Sequence, residues 1–218
     1  MALRKEVVDI AIVGAGGHGL STLALIKSDS KTEYNILGFI DDTLEVGTEI
    51  FNGLEVLGRI SNCDKYLPNS SSLALGIGGP WPLSARAEIF NLLSGLGFTF
   101  PTLIHKSASI DPGVEIASGV QVHSNSVVRI GSIIGKNVLI NTGVLVEHGC
   151  EIGNHSSLAT GSILCGNVIV GSKTFVGAGA VVIQNISIGN EVLVGASTLV
   201  RKDVESNSQV IGVPGRKR

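Results

Sequence analysis

The second half of the chain carries a strict hydrophobic period. From Ile104 to Val200, every sixth residue is isoleucine, leucine or valine, over seventeen successive positions. The residue four places after each aliphatic is usually small or β-branched, and glycine often follows the aliphatic directly. A period of six is typical of a parallel β-helix, in which one short strand and one turn form each face of a triangular coil. The pattern therefore predicts a β-helix with three hexads, or 18 residues, in each coil.

An ionisable pair, Glu147 and His148, interrupts this apolar wall. Residues that lie one coil apart stack at the strand spacing of about 4.8 Å, so Gly166 is expected directly above His148. Because His148 follows the inward-facing Val146 by two positions, its side chain is expected to point out of the coil near a corner. Spacing alone is also compatible with an ordinary solvent-facing histidine.

The pattern before Pro101 is different. Strand-like runs (VVDIAIVG, NILGFID and SSLALGIG) alternate with helical apolar spacing near residues 18–28 and 83–96. This β-α-β alternation predicts a parallel sheet with helices packed on it. Its length, about 100 residues, suits one mononucleotide-binding half of a Rossmann fold. The prediction is two domains, an α/β Rossmann-like half domain over 1–100 and a β-helix over 101–218.

Composition narrows the classes of function. The 218 residues have a net charge of -2 and only 4% aromatics, which argues against a nucleic-acid partner. No apolar run reaches 18 residues, so no membrane span is expected. The segment MALRKEVVDIAIVGAGG is interpreted as leading into a first strand and not as a signal peptide. Three cysteines without CxxC spacing indicate reduced thiols and a cytoplasmic protein.

A glycine-rich loop lies between the first predicted strand and helix. Gly14, Gly16 and Gly19 form a G-x-G-x-x-G, whose backbone N–H groups can approach a phosphate or ribose closely. Asp41 and Asp42 end the second strand, where a carboxylate can accept bonds from a base or sugar hydroxyl. The plainer interpretation is a tight turn beside a solvated acidic loop. NAD is disfavoured because the second Rossmann half is missing.

Several short motifs together resemble a known family. They are VGAGGHG, GFIDD, the LIH-SA stretch before the repeats, EHGC-IG and the GVP near the end. With the hexapeptide period, they make the chain similar to left-handed β-helix acyltransferases of the sialic-acid O-acetyltransferase type. That group includes nucleotide-sugar N-acetyltransferases, such as the bacillosamine and perosamine enzymes of bacterial surface glycans. The resemblance implies a homotrimer, acetyl-CoA bound between neighbouring β-helices, and an N-terminal domain that holds a nucleotide-linked amino sugar.

The resemblance also implies roles for individual residues. His148 matches the catalytic base, and Gly166 matches a backbone donor to the oxyanion of the tetrahedral intermediate. Asn141 matches a substrate-binding or base-orienting position, with a structural corner asparagine as the alternative. Acetyl-CoA is assigned to Gly166, Asn141, Ala178 and Lys202. The nucleotide sugar is assigned to Gly14, Gly16, Gly17, His18, Gly19, Asp41, Asp42 and Gly78.

The chain departs from the family pattern at Gly149, where an acid usually follows the histidine. Glu147 is the candidate to replace that acid as the group that orients the imidazole. No metal is expected, because His123, His148 and His155 are 25 and 7 residues apart and cannot stack. In GIGGPW, Gly79 stands where the family often has a polar side chain, and Trp81 fits packing better than base stacking. Arg201, Arg216, Lys217 and Arg218 fit a solvated terminus or a CoA phosphate contact.

The function expected from these observations is acetyl-CoA-dependent N-acetylation of a nucleotide-linked 4-amino-4,6-dideoxy sugar. One alternative is O-acetylation of sialic acid or a related sugar on the same scaffold. A second alternative is a non-catalytic trimeric scaffold that binds a nucleotide. It stays open because Gly149 stands where the family usually has an acid.

Overall fold

A computed structural model describes residues 7–29, 32–68, 70–79, 81–212 and 216–217. The chain packs as two compact units, the first formed by Met1–Gly78 and Ile89–Pro101, and the second by Gly79–Glu88 and Thr102–Arg218. The predicted fold class, a Rossmann-like α/β half domain and a left-handed β-helix, is confirmed. The predicted domain boundary near residue 100 stays a prediction, since residues 79–88 pack with the β-helix.

The first unit is a five-stranded sheet in the order β3-β4-β2-β1-β5. All neighbouring strands are parallel except β3 and β4, which form an antiparallel pair. The elements up to residue 95 are β1 (Val7–Val13), α1 (Gly17–Ser28), β2 (Glu33–Ile40), β3 (Glu49–Phe51), β4 (Leu54–Gly58), a 3-10 helix (Ile60–Lys65), β5 (Ser72–Leu75) and α2 (Ser84–Gly95).

Buried aliphatic runs explain why β1 and β5 lie in the interior of this unit. The end of β1, Ile10 to Val13, is fully buried, and β5 is buried along its length. Strands covered on both faces read as continuous apolar runs, as expected for a parallel sheet with helices on it. The carboxyl ends of β1, β2 and β5 therefore meet at one sheet edge.

The second unit is a β-helix of two- and three-residue parallel strands that stack into three sheets, here called faces. The first face contains β6 (Leu103–Ile104), β9 (Gln121–Val122), β12 (Leu139–Ile140), β15 (Ser157–Leu158), β18 (Phe175–Val176), β21 (Leu193–Val194), β23 (Gln209–Ile211) and, antiparallel to it, β24 (Arg216–Lys217). The second contains β7 (Ser109–Ile110), β10 (Val127–Val128), β13 (Leu145–Val146), β16 (Ile163–Leu164), β19 (Val181–Val182) and β22 (Leu199–Val200). The third contains β8 (Glu115–Ile116), β11 (Ile133–Ile134), β14 (Glu151–Ile152), β17 (Ile169–Val170) and β20 (Ser187–Ile188).

The hexad determines the conformation of most corners. Residues with a positive φ recur in the turns at multiples of six residues from Gly113 to Ser197. Glycine and asparagine hold most of these positions because they tolerate the left-handed region best. Three turns close one coil, and Leu145 pairs with Val127 below and Ile163 above. The predicted 18-residue stacking therefore describes the coils.

The last coil is shorter than the others. Val204 pairs with Ile188 and Gln209 pairs with Leu193, so each of these pairs is 16 residues apart. The strict period ends at this point for that reason. Within the described part of the chain, no helix has the length and apolarity needed to cross a lipid bilayer.

Candidate functional site

His148 lies in the turn between the second and third faces, which we call the His148 corner (residues 129–132, 147–150, 165–168 and 183–186). Its side chain is accessible to solvent, as the sequence predicts. The coil above is anchored to it by the backbone, since the Asn167 N–H donates to the His148 carbonyl at 2.9 Å. The turn thus presents an imidazole to solvent from a rigid hydrogen-bonded frame.

Gly166 lies directly against the His148 ring. A Cβ built on Gly166 would be 2.5 Å from His148 Cε1 and 2.6 Å from Nε2, closer than side-chain atoms approach one another. The imidazole therefore covers the bare α-carbon of the next coil. The stacking expected from the sequence brings these two residues together, and only glycine leaves room for the ring in this position.

At the hexad position of Gly166, a side-chain oxygen accepts the backbone N–H in some turns of the coil, whereas in other turns the described residues provide no acceptor. At the equivalent position, the Lys136 N–H donates to Asn154 Oδ1 at 2.8 Å and the Ser172 N–H donates to Asn190 Oδ1 at 2.7 Å. The residue one coil above Gly166 is Gln184, and within the described ranges the Gly166 N–H donates to no protein acceptor. An unbonded N–H beside an imidazole is the arrangement that an oxyanion requires.

Glu147 and Gly149 flank the histidine in different ways. Glu147 is half-buried, and no hydrogen bond joins its carboxylate to the imidazole in the described part of the chain. Gly149 has a φ of +69°, and a Cβ there would collide with Asn167 Oδ1. The Asn167 side-chain amide donates in turn to Asn185 Oδ1 at 3.2 Å. An acidic residue at position 149 would therefore displace Asn167, so Gly149 is matched to its own surroundings.

Asn141 and Ala178 lie at another corner, between the first and second faces, which we call the Asn141 corner (residues 123–126, 141–144, 159–162 and 177–180). The Asn141 side-chain oxygen accepts a hydrogen bond from the Thr142 N–H at 2.8 Å. Ala178 is exposed in the same stack of turns. One chain therefore does not bring Asn141 and His148 together, because they lie at opposite ends of β13.

Lys202 stands in the same column as His148, three coils above it, and is exposed. At the usual strand spacing this separation is about 14 Å. The basic residues Arg216 and Lys217 are described only by their backbone in β24, and Arg218 lies outside the described residues. Pro214 of the GVP motif and Pro80 of GIGGPW also lie outside them.

The glycine loop follows β1 as the sequence predicts. Gly14 has a φ of +103°, and its N–H donates to the Ile40 carbonyl at 2.7 Å. A side chain on Gly19 would strike the Gly14 carbonyl, whereas Gly16 and Gly17 face open space. Gly16 is the N-cap of α1 and supplies no side-chain cap, so the first N–H groups of the helix point into this opening. Such a helix start binds anions.

The two acids at the end of β2 support loops. Asp41 accepts hydrogen bonds from the Ala15 N–H at 2.9 Å, the Thr43 hydroxyl at 2.6 Å and the Leu44 N–H at 3.2 Å. Burial by itself raises the pKa of the Asp41 carboxyl, but these hydrogen bonds outweigh burial and hold the pKa below its ordinary value. Asp42 accepts from the Ile60 N–H at 2.8 Å. Asp41 thus positions the glycine loop, and its expected contact with a base stays a prediction.

His18 and Gly78 complete this edge of the sheet. A Cβ on Gly78 would be 3.6 Å from the Cβ of His18, so the histidine packs against the strand end after β5. His18 is half-buried at the start of α1. The predicted nucleotide residues therefore gather around one opening, bounded by the loops that follow β1, β2 and β5.

A buried polar cluster in the second unit was not predicted from the sequence. Arg86 of α2 is 2% exposed, and burial lowers its pKa to about 10. Burial, followed by the charges of Arg86 and His105, lowers the pKa of His123 to about 4. His155 lies in the same surroundings, and its Nδ1 is 3.0 Å from the Asn137 side-chain amide. Burial and the charges of Lys173, Arg86 and Lys136 lower the pKa of His155. The sequence gave no signal for this cluster, because a single arginine in a predicted helix does not indicate that the arginine is buried.

The three histidines considered for a metal lie at three different corners. His123 is at the Asn141 corner, His148 at its own, and His155 at the corner between the third and first faces. Among the described residues, no group of three or more histidine, cysteine or acidic side chains is close enough to hold a metal ion.

Comparison with known proteins agrees with both halves of the chain. Residues 9–93 match the PglD N-terminal domain family. The acetyltransferase domain of PglB from Neisseria gonorrhoeae, solved with acetyl coenzyme A, is 28% identical, with 98% of this chain and 100% of that one covered and a TM-score of 0.88. No curated protein sequence matches the chain.

Two further structures extend the comparison. A histidine-to-alanine variant of GDP-perosamine N-acetyltransferase from Caulobacter crescentus, solved with CoA and GDP-perosamine, is 29% identical, covers 96% of each chain and has a TM-score of 0.84. WeeI from Acinetobacter baumannii is 26% identical, with 98% of this chain and 100% of that one covered and a TM-score of 0.84.

Fold and site together define a left-handed β-helix acetyltransferase with a Rossmann-like N-terminal unit. The chain is similar to nucleotide-sugar N-acetyltransferases of the hexapeptide-repeat superfamily, as its motifs predict, and its residues 9–93 match the PglD N-terminal domain family.

Proposed function

We propose that the protein transfers the acetyl group of acetyl-CoA to the amine of a nucleotide-linked 4-amino-4,6-dideoxy sugar. The observation that carries this proposal is the His148 corner, where an accessible imidazole covers a glycine whose N–H donates to no acceptor in the described part of the chain. Solved relatives hold acetyl coenzyme A, or CoA with GDP-perosamine, which supports the same pair of substrates. The protein is proposed to act in the cytoplasm, consistent with Cys63, Cys150 and Cys165, which form no disulfide.

In the proposed reaction, the sugar amine attacks the thioester carbonyl while His148 accepts a proton from nitrogen. A C–N bond forms, and the carbonyl oxygen becomes an oxyanion that the Gly166 N–H stabilises. Collapse of the tetrahedral intermediate breaks the C–S bond. The proton held by the imidazole then passes to the CoA sulfur, so that the products are the acetamido sugar and the free thiol.

The nucleotide is proposed to bind at the sheet edge of the first unit. The open α-carbons of Gly16 and Gly17 and the uncapped start of α1 suit the diphosphate. The hydrogen bond from the Ala15 N–H to Asp41 ties that loop to the end of β2. His18 and Gly78 border the opening. Asp42, which is exposed, is proposed to contact the nucleoside.

A homotrimer is proposed because one chain lacks a complete site. The outward positions of the second face are apolar from β10 to β22 and remain partly exposed in the single chain: Val127, Leu145, Ile163, Val181 and Leu199. An apolar column of this kind suits an interface between copies. The Asn141 and His148 corners border this face on its two sides. A neighbouring subunit packed across it would place its Asn141 corner, with Ala178, beside His148, and acetyl-CoA would run between them toward Lys202.

The test is incubation with acetyl-CoA and a panel of acceptors, followed by mass spectrometry. The panel contains nucleotide-linked 4-amino-4,6-dideoxy sugars with uracil and guanine bases, and a free sialic acid. A gain of one acetyl group on the amine of a sugar nucleotide is the expected result. Acetylation of a hydroxyl on the free sialic acid would show an O-acetyltransferase instead. Failure to acetylate any acceptor would favour a nucleotide-binding scaffold.

A further inference from the structure

Ile130 occupies the His148 corner one coil below the histidine. The two positions are equivalent in the hexad, and the Gly149 N–H donates to the Ile130 carbonyl at 3.1 Å. The Ile130 side chain is 58% exposed, more than any other large aliphatic in the described part of the β-helix. Exposing an isoleucine beside an ionisable group costs hydrophobic free energy that a surface hydrophilic residue would not.

The surface around Ile130 is open on the side of the imidazole. Gly131 and Gly149, the next residues in the two stacked turns, carry no side chains, and a Cβ on Gly131 would have only the Gly149 backbone nearby, at 3.8 Å or more. The His148 ring lies toward Gly166 above it. The imidazole therefore has the thioester-side glycine above and an unhindered isoleucine below.

We propose that Ile130 is a specificity-determining residue that contacts the C6 methyl group of the acceptor sugar. This inference rests on the proposed function. When the C4 amine is in hydrogen-bonding reach of His148, the groups nearest to nitrogen are the C3 hydroxyl and the methyl on C5. One coil spacing, about 4.8 Å, separates Ile130 from the histidine, which is the reach of those substituents. An aliphatic side chain offers no hydrogen bond to a hydroxyl, so the methyl is the group that fits there.

The expected selectivity is moderate. An apolar surface lowers kcat/KM for a substrate with an added hydroxyl by at most about 100-fold, because the hydroxyl loses its hydration but meets no strong steric clash. Ile130 covers only one side of the substituent, so a preference of about 10-fold for the 6-deoxy sugar is expected.

The experiment compares kcat/KM for two acceptors with the same nucleotide, one a 4-amino-4,6-dideoxy sugar and the other its 6-hydroxy counterpart. Four proteins are measured: wild type, Ile130→Ser, Ile130→Val, and Ile169→Ser, which removes a comparably exposed aliphatic (44%) from the third face. The ratio of the two kcat/KM values should be about 10 for wild type and fall to about 1 in Ile130→Ser. Ile130→Val and Ile169→Ser should keep the wild-type ratio.

Three results would overturn the assignment. One is a wild-type enzyme that treats both sugars equally, and another is an Ile130→Ser enzyme that loses activity on both in the same proportion. The third is a changed sedimentation coefficient in Ile130→Ser, which would make Ile130 an interface residue. Failure of the proposed function would look different, since wild type would then acetylate neither amine.

Discussion

At the scale of single residues, the site depends on a side chain that is missing. His148 is accessible at a hexad position where exposure is ordinary, but the glycine above it lets the ring lie over the next coil, beside an N–H that donates to no acceptor within the described residues. Any larger residue at 166 would move the imidazole and crowd that N–H. The glycine therefore brings the proposed base and the proposed oxyanion donor together.

Replacing Gly166 by alanine tests that link. The added methyl overlaps His148 Cε1 and Nε2, so the ring must rotate away, and kcat should fall by roughly 10- to 100-fold. The thermal midpoint should change little, because the contact is with one accessible side chain. A double-mutant cycle with His148→Ala separates the causes. If Gly166→Ala acts only through the imidazole, it should not lower kcat any further in the His148→Ala background.

Removal of the imidazole itself should be more severe. His148→Ala is expected to lower kcat by on the order of 10²–10⁴ while the Kd for acetyl-CoA and the sedimentation coefficient stay unchanged. Lys136→Ala is the matched control, since Lys136 lies in the turn at another corner of the coil and is accessible to solvent. Steady-state kinetics of the two variants give the comparison. Near-normal turnover in His148→Ala would mean that the amine reaches the thioester already deprotonated.

At the scale of elements, the start of α2 is tied to the β-helix by charge as well as by apolar packing. Arg86 is buried in the second unit together with His123, which is 4% exposed. Burial of a cation is tolerated where polar groups surround it, and the neighbouring histidine must then stay neutral. The packing of residues 79–88 on the β-helix therefore favours the neutral form of His123 over the protonated form.

This cluster predicts a pH dependence of stability. The pKa of His123 is lowered from 6.5 to about 4 in the folded protein. Between these pH values, His123 is protonated in the unfolded chain but neutral in the native state. The stabilisation from neutral His123 is therefore fully present above pH 6.5 and is lost as the pH falls toward 4. The difference between the two pKa values corresponds to a loss of about 3 kcal/mol in the free energy of unfolding. Urea unfolding at pH 7.5 and 4.5 should show much of this loss in wild type and little of it in His123→Gln.

The control for that measurement is His148→Gln, which removes an exposed histidine of the same unit. It should keep the wild-type difference between the two pH values. An identical pH dependence in His123→Gln would mean that other groups of the protein produce the acid lability.

At the scale of the whole molecule, the apolar column on the second face is the feature to explain. Leu145 of this column is 36% exposed and lies in β13, the strand that links the Asn141 and His148 corners. A trimer that buries this column would complete the site at the same time. Assembly and catalysis would then depend on the same face of the coil.

Leu145→Asp should therefore prevent assembly of the proposed trimer. A carboxylate buried against apolar side chains without a partner is strongly unfavourable, so sedimentation velocity should show monomers at micromolar concentration, and activity should be lost with them. Ile169→Asp places the same charge on a similarly exposed aliphatic of the third face and should leave the trimer intact. Wild type that sediments as a monomer would contradict the assembly and the shared site together.

Much of the fold follows from the sequence alone. A period of six that persists through seventeen aliphatics leaves one architecture in which all of them are inward, and the register then stacks residues 18 apart. For that reason the periodicity by itself pairs His148 with Gly166. The glycine loop and the ends of β1, β2 and β5 are predictable for a similar reason, since parallel strands bring their carboxyl ends to one edge.

What only the tertiary structure decided concerns directions and distances of side chains. The sequence does not reveal that both oxygens of Asp41 accept hydrogen bonds within the fold, from the Ala15 and Thr43 N–H groups. The fit of Asn167 beside Gly149, the burial of Arg86 and the exposure of Ile130 are likewise absent from any periodicity. A repeat determines which residues stack, because backbone hydrogen bonds set the register. Which atoms then meet depends on neighbours that lie far apart in the chain, and packing alone decides that.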